Sequence, residues 1–444
     1  MPRVMPTPPP IATRPRVFDV CIVGAGPAGT TAAYLLARQG LSVALVDRAR
    51  FPRDKTCGDG ITPRGARVLQ RIGALDLVSS AGYACRGVDI RGHGIDGNAV
   101  EFTMRFEPDR RGDGSLDEPR DLLVLPRFAL DALLLQHALG AGPTLFDATK
   151  VVAIETLDAH ARVITDSDLA IDAAMVVLAT GAESQLLRAC GLLDRKPPLE
   201  HAARAYFENV EGLSDRVVLF FDGVDLPGYG WIFPTSPTTA NIGCGVFAQD
   251  RVETRPRPIP QSQRLEQLLA THPMLVRMLA NATRSGPMRA YPLRTDFRRE
   301  FAGRGRLMVI GEAAGLVNPI TGEGIDYALE SAEFVAAAIA AHWPIGTTSI
   351  DASSAHRITE DYRSRLSTRF TTRFALYRAA QRLALSPARM PTLLTQAANA
   401  PALQRLVIDG LFGRAKPAHL LKPSTLWQVA RLLSAGSRRN ASRQ

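Results

Sequence analysis

The chain has 444 residues, 46% of them hydrophobic and 22% charged, which is enough for one extended α/β enzyme with a large core. Cys21, Cys57, Cys85, Cys190 and Cys244 form no CxxC pair, which argues against a disulfide framework or a zinc site, and no run of about eighteen apolar residues exists to predict a membrane-spanning helix. The net charge of +10 is unevenly placed: residues 361–444 hold thirteen Arg and two Lys against only Asp361 and Asp409, so the body before them is slightly acidic.

In chain order, residues 1–16 are rich in Pro and Arg without an apolar stretch and predict a disordered tail, not a secretory signal. Residues 18–23 form an apolar strand that runs into Gly24-Ala25-Gly26-Pro27-Ala28-Gly29. A helix over 30–39 follows, then a strand over 41–46 ending at Asp47, with Arg48 beside it. This is the dinucleotide fingerprint in its required context. Gly24 permits the tight turn, Gly26 lets a pyrophosphate approach the backbone, and Gly29 lets helix and strand pack closely. The helix N-terminus presents its positive dipole end to the phosphates, and Asp47 is placed to accept from the adenosine ribose.

Next comes Phe51-Pro52-Arg53-Asp54-Lys55-Thr56-Cys57-Gly58-Asp59-Gly60-Ile61. Residues 108–119 are charged and read as a loop, and Pro126-Arg127 with Asp131 and Leu134 reads as an arginine opening a helix. Met175 to Ala182 ends a strand in Ala179-Thr180-Gly181, and 217–221 is a strand expected to pair with 230–233. Tyr229, Trp231 and Phe233 alternate, so in a strand all three face one way. Pro234 ends that strand and 235–239 reads as a hairpin turn. The return strand, 240–248, carries Gly243 and Gly245 on one face, which opens space or admits another backbone. Three aromatics beside that space make a wall for something flat or greasy. The same pattern also suits a packed aromatic core, and alone it leaves both readings open.

Residues 250–263, with three prolines, read as a linker. An apolar strand over 307–310 enters Gly311-Glu312-Ala313-Ala314-Gly315, followed by Asn318-Pro319, Gly322-Glu323-Gly324 and a helix over 325–342. In the basic region, Arg363, Arg365, Arg369, Arg373 and Arg378 recur in one helical stretch among Leu366, Phe370, Phe374, Leu376 and Tyr377. Two more apolar stretches with basic flanks cover 402–412 and 426–433, and five prolines from Pro387 to Pro423 predict short helices. Short basic amphipathic helices suit a membrane surface; a helical cap with solvated arginines is the alternative. Nucleic acid is discounted, because no reading motif is present and the body is not basic.

The second glycine motif resembles that of the para-hydroxybenzoate hydroxylase class of FAD enzymes, as do the Arg127 helix and the 179–181 turn. The resemblance implies FAD, with Gly311 and Glu312 at the ribitol and Gly322, Gly324 and Ile325 at the flavin pyrimidine. Glu312 stands where that class usually has Asp. Tyr229-x-Trp231-x-Phe233-Pro234, then Gly243-x-Gly245, and the Cys57-Gly-x-Gly turn extend the likeness. Over about 18–342 the chain resembles the geranylgeranyl reductase family of flavoproteins, most closely in look its bacterial menaquinone side-chain reductases.

The resemblance implies an α/β fold: a Rossmann-type FAD-binding domain (17–75, 120–195 and 290–345), an α+β substrate lobe (76–119 and 196–289) and a basic helical C-terminal region (346–444). It implies an isoprenoid substrate bound by Tyr229, Trp231, Phe233, Gly243 and Gly245. With no second nucleotide fingerprint, the electron donor, NAD(P)H or a small carrier, is expected to bind transiently. The protein is expected in the cytoplasm, with peripheral contact at the inner face of the cell membrane if the basic helices meet lipid. Oligomeric state is left open.

Saturating an isolated alkene takes a hydride and a proton. Trp231 and Tyr229 suit stabilisation of a tertiary carbocation by cation–π attraction. Cys57 is the foremost proton donor or orienting group by position, Asp59 has less support, and Glu323 reads as structural or flavin-facing. The rivals are an aromatic or lipid hydroxylase, an electron-transfer flavoprotein and a flavin halogenase. Halogenases use a lysine after the first FAD motif, and here no lysine lies between Lys55 and Lys150.

Overall fold

The computed structural model describes residues 15–106, 119–167, 169–247, 259–344, 347 and 349–405. The expected N-terminal tail up to residue 14, most of the 108–119 loop, the linker up to residue 258 and the tail from residue 406 lie outside them.

The fingerprint strand Arg16–Val23 sits inside a parallel sheet, between Ala170–Leu178 and Val43–Val46. Leu307–Val309 extends the sheet beyond Ala170–Leu178, and Thr144–Phe146 extends it beyond Val43–Val46. All nine residues of Ala170–Leu178 are buried, as expected of a strand covered on both faces. Leu307–Val309 pairs antiparallel with Gly303–Arg304, and a meander of Val151–Thr156 and Ala161–Thr165 completes the eight strands.

The first helix is Pro27–Arg38, opening three residues earlier than the sequence reading placed it. Pro27 occupies its first turn, where the missing N–H costs nothing. It packs against Ile325–His342, the helix that follows the second glycine motif.

A second, seven-stranded sheet runs in the order Thr283–Leu293, Glu200–Glu208, Ala240–Val246, Gly228–Pro234, Val217–Phe220, Gly87–His93 and Ala99–Arg105. Every neighbouring pair is antiparallel except Val217–Phe220 with Gly87–His93. The expected pairing of the aromatic strand with 217–221 is present, with Leu219 opposite Trp231. The last three residues of the expected linker, 261–263, instead open Gln261–Thr271, a helix lying on this sheet.

The C-terminal region departs from the expected short helices. Ala352–Ala384 is one helix of 33 residues, because no proline occurs between Pro344 and Pro387. Asp351 caps it by accepting from Ser354 N at 2.7 Å. Tyr362, Leu366, Phe370 and Phe374 are fully buried against the core, where Phe370 and Phe374 ring Tyr327 at 5.4 and 5.2 Å. Its arginines are engaged with the protein: Arg369 pairs with Glu330 at 2.5 Å, Arg365 with Asp361 at 2.9 Å, and Arg378 donates to the Thr295 carbonyl. This helix is therefore a cap packed on the core along one face, with its other face exposed. A shorter helix, Met390–Ala398, folds back over Gly87–His93 and Ala99–Arg105.

Candidate active site

One cavity of about 870 Å³ lies between the two large sheets. Its first arm is built by the glycine motifs. Gly24, at φ +108°, could not carry a side chain, since a Cβ would stand 2.4 Å from the Ala179 carbonyl oxygen. A Cβ at Gly26 would instead enter the arm, 3.6 Å from Arg53 and 3.7 Å from Arg127. The helix start and these two guanidiniums form a cradle for an anion. Arg127 is held by Asp131 at 2.6 and 2.7 Å, and Arg53 reaches the same carboxylate at 3.1 Å. Asp47 accepts from Ala25 N at 2.7 Å and Ala49 N at 2.8 Å, which fixes its carboxylate at the wall beside Arg48 and Ala28.

Farther in, Glu312 lines the cavity with one oxygen on Lys55 at 3.3 Å and the other, Oε1, buried without a protein partner. An orphaned acceptor there fits a ribitol hydroxyl. Gly322, Gly324 and Ile325 also line the cavity, at a helix N-terminus that no side chain caps. Free N–H groups there suit the electron-rich edge of a flavin. The residues present thus fit FAD: an anion cradle, a hydroxyl acceptor and a positive helix end in sequence. Gly29 and Gly311 do not reach the cavity. A Cβ on Gly29 would strike the Gly24 carbonyl, and Gly311, at φ +61°, packs on Ala28 and Ala328.

The second arm runs across the seven-stranded sheet along one transverse row. Arg289, Arg204, Gly243, Trp231, Leu219, Ile90 and Phe102 lie side by side on successive strands. All but Gly243 line the cavity. The row passes from two cations through an indole to a hydrocarbon floor. Met390, Leu393, Leu394 and Ala397 of the short C-terminal helix, with Leu385, roof the apolar end.

Tyr229, Trp231 and Phe233 all face this arm. Tyr229 donates its hydroxyl to the Thr321 carbonyl and stacks on Phe247 at 5.3 Å. Trp231 Nε1 donates to Asn241 Oδ1 at 3.0 Å. The space expected over Gly243 and Gly245 is not part of the cavity. The Trp231 indole lies on Gly243 and Phe247 covers Gly245, so these glycines seat the rings and do not face a substrate.

Cys57 lines the junction of the two arms. Burial pushes its thiol up, opposed by the Arg127 guanidinium, so it stays protonated at neutral pH. Asp59 is fully buried behind it, and burial raises its carboxyl to about 6. Glu323 is held by Arg64 at 3.2 Å, and burial pushes its carboxyl up. Sequence reasoning passed over Arg53 and Lys55, although both stand in the quoted 51–61 segment. It also passed over Arg204, Asn241 and the roof, which carry no local signal.

An FAD binding domain family model matches residues 17–352. A menaquinone reductase of Mycolicibacterium smegmatis is 34% identical over 330 residues, covering 72% of this chain and 75% of that one. Digeranylgeranylglycerophospholipid reductase 2 of Methanopyrus kandleri is 28% identical over 330 residues, covering 70% and 74%. Among solved structures, a geranylgeranyl bacteriochlorophyll reductase-like protein of Thermoplasma acidophilum superposes with a TM-score of 0.73 at 19% identity, over 94% of this chain and 99% of that one. That last likeness is one of fold. With the cavity and the family match together, the chain belongs to the FAD-dependent oxidoreductases of the geranylgeranyl reductase family.

Proposed function

We propose that this protein saturates carbon–carbon double bonds of a prenyl chain, such as a menaquinone side chain or a geranylgeranyl group. The observation that carries the reading is the transverse row: one continuous arm that meets the FAD arm at Trp231 and Cys57 and continues as hydrocarbon floor and roof. Such an arm holds an extended aliphatic chain and excludes water from it. The domain division expected above is part of this proposal, and the separation of the two large sheets supports it.

Reduced FAD supplies the hydride when bound. The chain's own residues do the rest. Trp231 and Tyr229 present ring faces to the alkene, where a positive charge developing at its tertiary carbon is stabilised. The protonated Cys57 thiol stands at the same junction to hold or deliver the proton. Lys55, stacked over Tyr291 at 4.0 Å, is paired with Glu312 at 3.3 Å.

The electron donor is proposed to be NAD(P)H or a small carrier visiting from solvent. Contact with a membrane is proposed for the tail beyond residue 405, where Arg414, Lys416, Lys422 and Arg431 face only Asp409 in charge.

The test is anaerobic: chemically reduced enzyme mixed with a prenylated quinone, then mass spectrometry of the lipid. The expected product gains two hydrogens per flavin reoxidised. Product that forms only with oxygen, and carries an oxygen atom, would establish a hydroxylase instead.

A further inference from the structure

Asp59 occupies a position that argues for a purpose. It sits between Gly58 and Gly60 at φ +69°, in the left-handed region where glycine is the easy choice. A side chain kept there against that preference points to what the side chain does.

Its carboxylate is fully buried and fully used. Oδ2 accepts from Tyr206 Oη at 2.6 Å and from Asn241 Nδ2 at 2.7 Å, and Oδ1 accepts from Arg127 N at 3.2 Å. The Asn241 amide is thereby given one orientation. Its NH₂ faces a carboxylate and the Cys57 carbonyl, 2.8 Å away, so its oxygen faces the indole N–H. An indole nitrogen can only donate, so the reverse amide would set donor against donor. Asp59, together with the Cys57 carbonyl, sets the direction of the amide and through it the hydrogen bond that holds the ring over Gly243.

We propose that Asp59 is a positioning residue for the reacting end of the cavity: through Asn241 it sets the Trp231 indole and anchors the backbone of Cys57. The inference rests on the proposed function for its kinetic consequence, but not for its structural one. Facing Asp59 are Tyr206 and Arg204 from Glu200–Glu208, Arg127 from its helix and Cys57 from the same turn; Ala240–Val246 contributes only the neutral Asn241 amide. Burial holds the carboxyl at about 6, so the device titrates just below neutrality.

The experiment uses Asp59→Asn, which tolerates the left-handed backbone and, keeping an oxygen on Arg127 N, sets an NH₂ against the Asn241 amide. FAD content and the rate of flavin reduction are expected to match wild type. Anaerobic single-turnover reoxidation by a prenylated quinone is expected to fall about tenfold or more, since rate depends steeply on placement. The wild-type rate of that step should inflect near pH 6 and the variant's should not. In a Trp231→Phe background, which lacks the indole N–H, Asp59→Asn should cost less than about twofold further.

A substrate-independent arm keeps the inference separate from the reading it rests on. The fluorescence difference between wild type and Trp231→Phe should titrate near pH 6, and the same difference measured in Asp59→Asn backgrounds should not. An untitrating difference, an unchanged reoxidation rate, or an equal cost in both backgrounds would overturn the positioning role. A titrating difference in a protein that reduces no prenyl compound would sustain the positioning role and sink the substrate.

Discussion

Two glycines of the first turn, Gly24 and Gly26, meet opposite surroundings. A Cβ on Gly24 collides with backbone, whereas a Cβ on Gly26 meets only the tips of Arg53 and Arg127 across open cavity. Gly24→Ala is therefore expected to lose soluble protein. Gly26→Val should fold and purify nearly colourless, with FAD bound on the order of tenfold or more weakly, about 1.4 kcal/mol or more. Circular dichroism and flavin absorbance separate the two outcomes. Gly243 is a third case. Its added methyl would stand 2.2 Å from the indole and 2.4 Å from the Ala203 oxygen. Gly243→Ala should keep FAD, lose about 1–3 kcal/mol of stability by overpacking, and slow alkene reduction because the ring must tilt. A variant with unchanged single-turnover rate would mean the ring's seat is irrelevant to chemistry. The backbone demands at Gly24 and Gly29 were legible in the sequence because they are local to one turn. The seat under Trp231 was not, because it lies on a different strand, and a missing side chain reads equally as space or as a socket.

At the scale of elements, the aromatic strand and its return were readable from alternation and from Pro234. Their pairing with 217–221 was readable too, but the order of the sheet beyond it was not. Val217–Phe220 pairs in parallel with Gly87–His93, more than a hundred residues away in sequence, and no local pattern announces such a partner. The roof helix was equally hidden: Met390–Ala398 reads as an ordinary short amphipathic helix until it is seen lying over Gly92, where a Cβ would touch Leu394 at 2.6 Å. Leu393 reaches the cavity from that helix and is only half-buried, so enlarging it is tolerable. Leu393→Trp should leave turnover of a short prenyl substrate near wild type and raise KM for a long one. The ratio of kcat/KM between two chain lengths is the measurement, and equal effects on both would place the chain elsewhere.

Over the whole molecule, the basic charge is concentrated toward the C-terminus. Much of the C-terminal positive charge sits on a helix that binds the body: Glu330 of the body meets Arg369, while Glu360 and Asp361 of the same helix pair with Arg363 and Arg365. The long helix also creates a pH liability where it approaches the second sheet. Glu200 is buried, and burial raises its carboxyl from 4.5 to about 8, with Asp296 adding to the rise and Arg378 opposing it. The folded state thus keeps a proton that the unfolded chain has released. Stability from this group is complete below about 4.5 and is lost as pH climbs through about 8, at no more than ~1.4 kcal/mol per unit. Glu200→Gln carries a permanently neutral group there. Its Tm should fall less than that of wild type between pH 5 and about 8, and parallel curves would contradict the buried carboxyl.

The roof has a consequence for inheritance. Everything that fits FAD lies within 17–352, whereas Leu385, Met390, Leu393, Leu394 and Ala397 come after it in the gene. A lineage can therefore rewrite the last helices, and with them the hydrocarbon length it admits, while the redox machinery stays untouched. Exchanging only the segment from residue 385 onward between two such reductases would move substrate preference as a cassette.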